Sequence, residues 1–145
     1  MHIEVLSTDN CQALTELALE LWPDAVFEEE YEQFAGLIES ENDRCYLARE
    51  GEEYVGFVHV SIRREYVEGA DDLPVAYVEG IYVRPMYQKQ GIARQLMAAS
   101  EAWARQKGIT QMASDTPADN AASIDFHTKL GFAEAERIVC FIKEL

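Results

Sequence analysis

Residues Glu79 to Trp103 read E-G-I-Y-V-R-P-M-Y-Q-K-Q-G-I-A-R-Q-L-M-A-A-S-E-A-W. The stretch divides into a buried strand, a short loop rich in amide donors, and an amphipathic helix. β-Branched and aromatic residues crowd Val75 to Val83, as a strand favours. Arg84-Pro85 ends it, because proline has no N–H for a ladder. The helix is expected to begin near Gly91, with Ile92, Leu96, Ala99 and Trp103 at i, i+4, i+7 and i+11. Lys107 and Gly108 close it as a cationic last turn and a C′ glycine. A loop feeding a helix N-terminus presents unpaired backbone N–H groups and the positive end of the helix dipole. Gly91 and Ala93 keep that approach clear of bulk, which suits phosphate or pyrophosphate.

Other phosphate loops fit poorly. The chain has no Gly-x-x-x-x-Gly-Lys-Ser/Thr and no G-x-G-x-x-G. A second segment, Asn120 to Phe132, reads N-A-A-S-I-D-F-H-T-K-L-G-F. It follows a short strand, Gln111 to Ser114, and the loop Asp115 to Asp119. Ile124, Phe126, His127 and Leu130 give this second helix an apolar side, and Gly131 ends it. Gln88-x-x-Gly91-x-Ala93 after a strand, followed by the Asn120 segment, resembles the coenzyme signature of the GCN5-related N-acetyltransferases. That resemblance implies acetyl-CoA as cosubstrate, held by Ile81, Tyr82 and Val83, by Lys89, Gln90, Gly91, Ile92, Ala93 and Arg94, and by Asn120. His127 stands where relatives usually carry a tyrosine near the coenzyme sulfur.

Composition agrees with one soluble globular domain spanning residues 1–145: 48% hydrophobic and 27% charged residues. No apolar run nears a membrane span, and the N-terminus lacks a basic start and apolar core. The three cysteines, Cys11, Cys45 and Cys140, are odd in number and widely spaced, which points to a reducing cytoplasm. They share no ligand-like spacing with His2, His59 or His127, so no metal site is expected. With 27 acidic and 12 basic residues, the formal charge of −15 argues against nucleic acid and favours a cationic partner.

The rest of the chain supplies an α+β order. Strand Ile3–Leu6 precedes a helix capped at Thr8 or Asp9 and stopped at Trp22-Pro23. A helix from about Phe27 to Glu39 turns Tyr31, Phe34, Leu37 and Ile38 inward. Strands Cys45–Arg49 and Tyr54–Arg63 form a hairpin through Glu50-Gly51-Glu52. In the second strand, Val55, Phe57, His59 and Ser61 share one face, and Gly56, Val58, Val60 and Ile62 the other. An acidic loop, Glu65 to Leu73, leads into the Val75 strand. A last strand is expected from about Glu136 to Lys143, pairing across a homodimer interface because an unpaired apolar edge is a liability. This order matches the fold of the resembled family, a central mixed twisted sheet flanked by helices.

Finer features resemble the small aminoglycoside 6′-N-acetyltransferases: Leu21-Trp22-Pro23, Ser61 through Gly69, Val78 through Val83, Gln95 through Ala99, Met112 through Thr116, and Asn120 through Phe132. The resemblance implies acetyl transfer to an aminoglycoside 6′-amine, with Trp22, Tyr66, Glu79, Asp115 and Glu136 contacting the acceptor. The residues themselves leave alternatives. Glu79 interrupts an apolar strand, so it needs a cationic partner or a raised pKa; that partner is either a substrate or Arg63 or Arg64. Asp115 suits a turn as well as a site, Glu136 a solvated edge, Trp22 a core or a sugar-binding wall, and Tyr66 a solvated loop or a lid. His127 is either a packed helix residue or a stabiliser of the leaving thiolate. Direct transfer in a ternary complex follows, with Glu79 as general base, Asp115 second, and the Val83 N–H polarising the thioester carbonyl. The rivals are acetylation of another small amine or a protein lysine, and a non-catalytic acetyl-CoA-binding module.

Overall fold

A computed structural model describes residues 1–145. Five strands form one sheet in the order β1-β2-β3-β4-β5: β1 His2–Val5, β2 Asp43–Glu50, β3 Glu53–Arg63, β4 Val75–Val83 and β5 Met112–Ala113. The first four pair antiparallel; β5 lies parallel to β4, reached through α3, Ile92–Gln106. The sheet is therefore mixed, as expected, and the parallel step needs the helical crossover that the sequence carries.

Two layers of helix cover it. On one face α3 buries Ile92, Leu96, Met97 and Trp103 against Val58, Val60, Val78 and Val83. On the other, α1 Cys11–Leu21 and α2 Phe27–Leu37 close over Leu47 and Phe57, with Leu14, Leu17, Ala18 and Phe34 inward. Each fully buried Leu or Phe side chain contributes about 1.5–3 kcal/mol by leaving water. α4, Ala121–Lys129, follows β5 and lies at the molecule's edge.

Local expectations fail in four places. First, α1 is led by Asn10, not Thr8 or Asp9. Its carboxamide bonds back to the Ser7 N–H and the Val5 carbonyl rather than to the helix, fixing the β1–α1 turn. Second, Tyr31 is exposed and stacks on Phe27, so of the α2 aromatics only Phe34 reaches the core. Third, Val55 faces α3 instead of sharing the Phe57 face. The β2–β3 register skips it, pairing Ala48 with Gly56 and Arg49 with Tyr54, and the resulting bulge turns its side chain over. Fourth, no strand forms over Glu136–Lys143. The segment has no ladder partner within the chain, and Ile138, Val139, Phe141 and Ile142 stand exposed.

Candidate active site

β4 supplies the first element through a bulge. His59 pairs with Gly80 and Val60 with Val78, so Glu79 has no opposite number on β3. An extra residue re-aims side chains, and here it turns the Glu79 carboxylate onto the α1/α2 face. Ser61 Oγ donates to Glu79 Oε1 at 2.8 Å. The Arg63 guanidinium grips both oxygens, with Nη2 at 2.8 Å from Oε1 and 3.0 Å from Oε2, and Nε at 3.1 Å from Oε1. The ion pair with Arg63, one of the two alternatives open from the residues alone, is therefore present. Burial opposes the Arg63 charge, but the hydrogen bonds it donates to Glu79 and the charge of that carboxylate prevail, so its pKa is raised.

Asp115 joins the same network. The buried Tyr77 hydroxyl donates to it, and the Arg63 guanidinium carbon lies 3.5 Å from the centre of the Tyr77 ring. Desolvation first, and then the Asp115 carboxylate, push the Tyr77 phenol up to about 12, so it stays a donor. Trp22 walls this region. Its ring meets Phe57 edge-on at 6.2 Å, and a methyl group at position 80 would lie 2.5 Å from its Cη2. Gly80 is there because the indole occupies its Cβ space. Trp22 is exposed at its rim, which makes it a wall and not core.

Tyr66 and Glu136 stand apart in a second group. Tyr66 is 77% exposed, and its pKa rises mainly through its hydrogen bond with Glu68, with Glu136 adding a smaller effect. Their loops touch where Gly69 abuts Ala135. Beside them, a cavity of about 370 Å³ runs along β5, bounded by Glu68–Ala70, Gln111–Ser114 and Leu130–Ala135.

The coenzyme-type loop has the expected geometry. Arg84 is clamped between Glu20 and Glu53 at 2.8 Å each, fixing where β4 ends. Lys89 and Gly91 both take the left-handed conformation, with φ of 63° and 84°, and curl the chain into α3. No hydrogen bond uses the backbone N–H of any residue from Lys89 to Arg94, and nothing lies within 4 Å of a side chain placed at Gly91. This open row of donors at a helix N-terminus fits a pyrophosphate. Arg94 is partly committed elsewhere, donating to the Lys129 carbonyl at 2.8 Å and tying α3 to the end of α4. Asn120 caps α4, its Oδ1 accepting from the Ser123 N–H at 3.1 Å, which leaves its amide nitrogen as donor.

Backbone register opens the far edge of β4. The Arg84 N–H bonds the Val55 carbonyl at 2.8 Å, so the next pair, Val83 with Gly56, is a non-hydrogen-bonded one. The N–H and C=O of Val83, and likewise of Ile81, therefore point away from β3. β5 pairs β4 only at Ala76 and Tyr77, so those groups face the gap where the two strands part. Gln88 Nε2 donates to the Val83 carbonyl from that side at 2.9 Å, leaving the N–H directed into the gap.

His127 lies beside the end of β5. Its Nδ1 is 2.7 Å from the Ser123 carbonyl, which only accepts, so the proton sits on Nδ1. Nε2 then accepts from Ser114 Oγ at 2.7 Å. Both ring nitrogens are engaged, and Phe126 and Phe132 pack against the ring. Ser114, Ser61 and Tyr77 were missed in the sequence because each looks like an ordinary strand residue. Only the register and the β5 end bring them to the site. No group of three or more His, Cys, Asp or Glu side chains is placed to hold a metal ion.

Known proteins share this fold. Residues 11–132 match the family model described as the acetyltransferase (GNAT) family. The chain is 37% identical over 145 residues to an aminoglycoside N(6′)-acetyltransferase type 1 from Serratia marcescens, covering 99% of each. It superposes with a TM-score of 0.93 on AAC(6′)-Iy in complex with the bisubstrate analog CoA-S-monomethyl-acetylneamine, at 31% identity and 100% of both chains. Aminoglycoside 6′-N-acetyltransferase AAC(6′)-Ih from Acinetobacter baumannii superposes equally well, at 36% identity, covering 99% of this chain and 98% of that one. Both the match over residues 11–132 and the full-length likeness to these enzymes place it: the chain belongs to the GNAT acetyltransferase family.

Proposed function

We propose that this chain is an aminoglycoside 6′-N-acetyltransferase that moves the acetyl group of acetyl-CoA directly to the acceptor amine in a ternary complex. Relatives so named match it over essentially the whole chain. The observation that carries the reading is Glu79. A bulge sets its carboxylate on the open face of β4, four residues before the Val83 N–H that faces the gap.

The roles follow from position. Pyrophosphate lies on the Lys89–Arg94 amides, and the pantetheine arm runs through the gap along Ile81–Val83 towards the Asn120 amide. The thioester carbonyl takes its hydrogen bond from the Val83 N–H, which stabilises the tetrahedral oxyanion. Trp22 walls the sugar, and Glu79 and Asp115 bind its ammonium groups, with Tyr66 and Glu136 at the rim. The 6′-ammonium gives a proton to Glu79, directly or through water, before attack. Asp115, held by Tyr77, is the second base. The departing thiolate needs little help, a thiol pKa being about 8.5. His127 stands as the candidate stabiliser of that thiolate once its Nε2 releases the Ser114 hydroxyl.

The whole chain works as one domain, and we place it in the cytoplasm, in keeping with its three free cysteines. We also propose a homodimer. The exposed apolar tail and the cavity beside the open edge of β5 complement one another, and the tail of one copy fits along β5 of a second.

Thiol release from acetyl-CoA, measured in parallel with kanamycin, tobramycin, spermidine and a lysine peptide, tests the activity. Turnover confined to the aminoglycosides is expected. Turnover of spermidine or the peptide alone would reassign the acceptor. Coenzyme binding without turnover of any amine would make the chain a binding module.

A further inference from the structure

The Arg63 side chain does more than neutralise Glu79. Glu79 Oε1 accepts from three donors, Ser61 Oγ, Arg63 Nε and Arg63 Nη2, and the same Nη2 also reaches Oε2. While that fork is closed, Oε1 has no lone pair left for a substrate ammonium. The same guanidinium covers the face of Tyr77, whose hydroxyl holds Asp115. One internal cation thus sits at the junction of both carboxylates assigned to the acceptor. β3 and β4 are already joined there by the ladder pair Arg63 with Val75, so the side chain is not needed to hold the strands together. Arg63 is also exposed and lies at the end of β3, next to the acidic loop, where it has room to swing.

We propose that Arg63 is a built-in stand-in for the acceptor's ammonium: it occupies Glu79 and the Tyr77 face until a polycationic amine displaces it, and so sets how many positive charges an acceptor must carry. This rests on the assignment of Glu79 to the acceptor side. A monocationic amine exchanges one charge for one, and the tethered guanidinium wins by its effective concentration. A polycation brings further ammonium groups to Asp115 and the acidic loop, and the exchange becomes favourable. An exposed ion pair is weak enough to be displaced in this way. Arg63 is therefore a positioning and specificity residue.

The test compares Arg63→Met, which keeps the apolar stem and removes the charge, with Arg63→Lys. Steady-state kinetics and calorimetric titration are run with kanamycin and with a monocationic amino sugar. In Arg63→Met the kanamycin KM and Kd should fall about fivefold, the scale of one exposed pair. The monocationic amine should gain more than kanamycin does. The groups facing Glu79 are Arg63 and Ser61 from β3, Tyr77 from β4, and Asp115 through Tyr77. Removing the only cation among them frees the carboxylate, so the gain should appear in KM and Kd rather than in kcat. Arg63→Lys should keep the wild-type ranking of the two amines. An unchanged or weaker affinity in Arg63→Met, with the two amines ranked as in the wild type, would make Arg63 a purely structural partner. If the wild type turned over no aminoglycoside, the functional assignment would fail, and the calorimetric ranking of the two amines would still decide for or against Arg63.

Discussion

Glu79 is surrounded by donors, whereas the general-base role proposed for it needs an open lone pair. Ser61 and Arg63 both donate to the carboxylate and hold it in one orientation. Glu79→Gln preserves the shape and the Ser61 contact but cannot take a proton from the ammonium. It should lower kcat/KM for 6′-amino substrates by about 10²-fold, the usual scale of a general base. The loss should be largest at low pH, where nearly all acceptor arrives as ammonium, and should shrink as pH rises and free amine becomes available. Steady-state profiles of the two proteins across pH check this. A change in KM alone would reduce Glu79 to a cation binder, and matching profiles would move the base to Asp115. The carboxylate itself was legible in the sequence, since an acid in an apolar strand is conspicuous. Its bond to Arg63 was one of two readings there, because only the antiparallel β3–β4 register brings residues 63 and 79 together.

Among the elements, the loop into α3 is where sequence and structure agree best. Its conformation is local: left-handed Lys89 and Gly91 and the first turn of a helix leave the amides open whatever the rest of the molecule does. Gly91→Asp tests it. A side chain meets nothing there, so the fold should survive, at a cost of about 1 kcal/mol for the left-handed backbone. The added carboxylate would face the pyrophosphate, and acetyl-CoA affinity should be lost. Calorimetry on mutant protein with unchanged circular dichroism is the measurement, and undiminished affinity would remove the loop from the coenzyme site. β3 shows the opposite case. Its strict alternation mis-sorts Val55, because a bulge depends on how β2 lies beside it and leaves no local mark.

For the whole molecule, the unpaired tail and the open β5 edge are the outstanding features. Phe141 is 91% and Ile142 96% exposed, a strand-like apolar run without a partner in its own chain. Replacing both by Asp should convert a dimer to a monomer in sedimentation experiments while leaving the helical content unchanged. A wild-type protein that sediments as a monomer, or a variant that remains dimeric, would overturn the pairing. No helix is long and apolar enough to cross a membrane. The formal charge of −15 gives the surface a field that gathers cations. The sequence alone determined the order of strands and helices as far as α4, the turn at Gly91 that leads into α3, the α+β class and the acidic composition. These depend on side-chain periodicity, backbone freedom and composition, which are properties of neighbouring residues. Tertiary structure alone decided the Arg63 clasp on Glu79, the Tyr77–Asp115 and Ser114–His127 contacts, the direction of the Val83 N–H and the fate of the tail. Each of these depends on strand register or on a missing strand partner, and neither is encoded within any single segment.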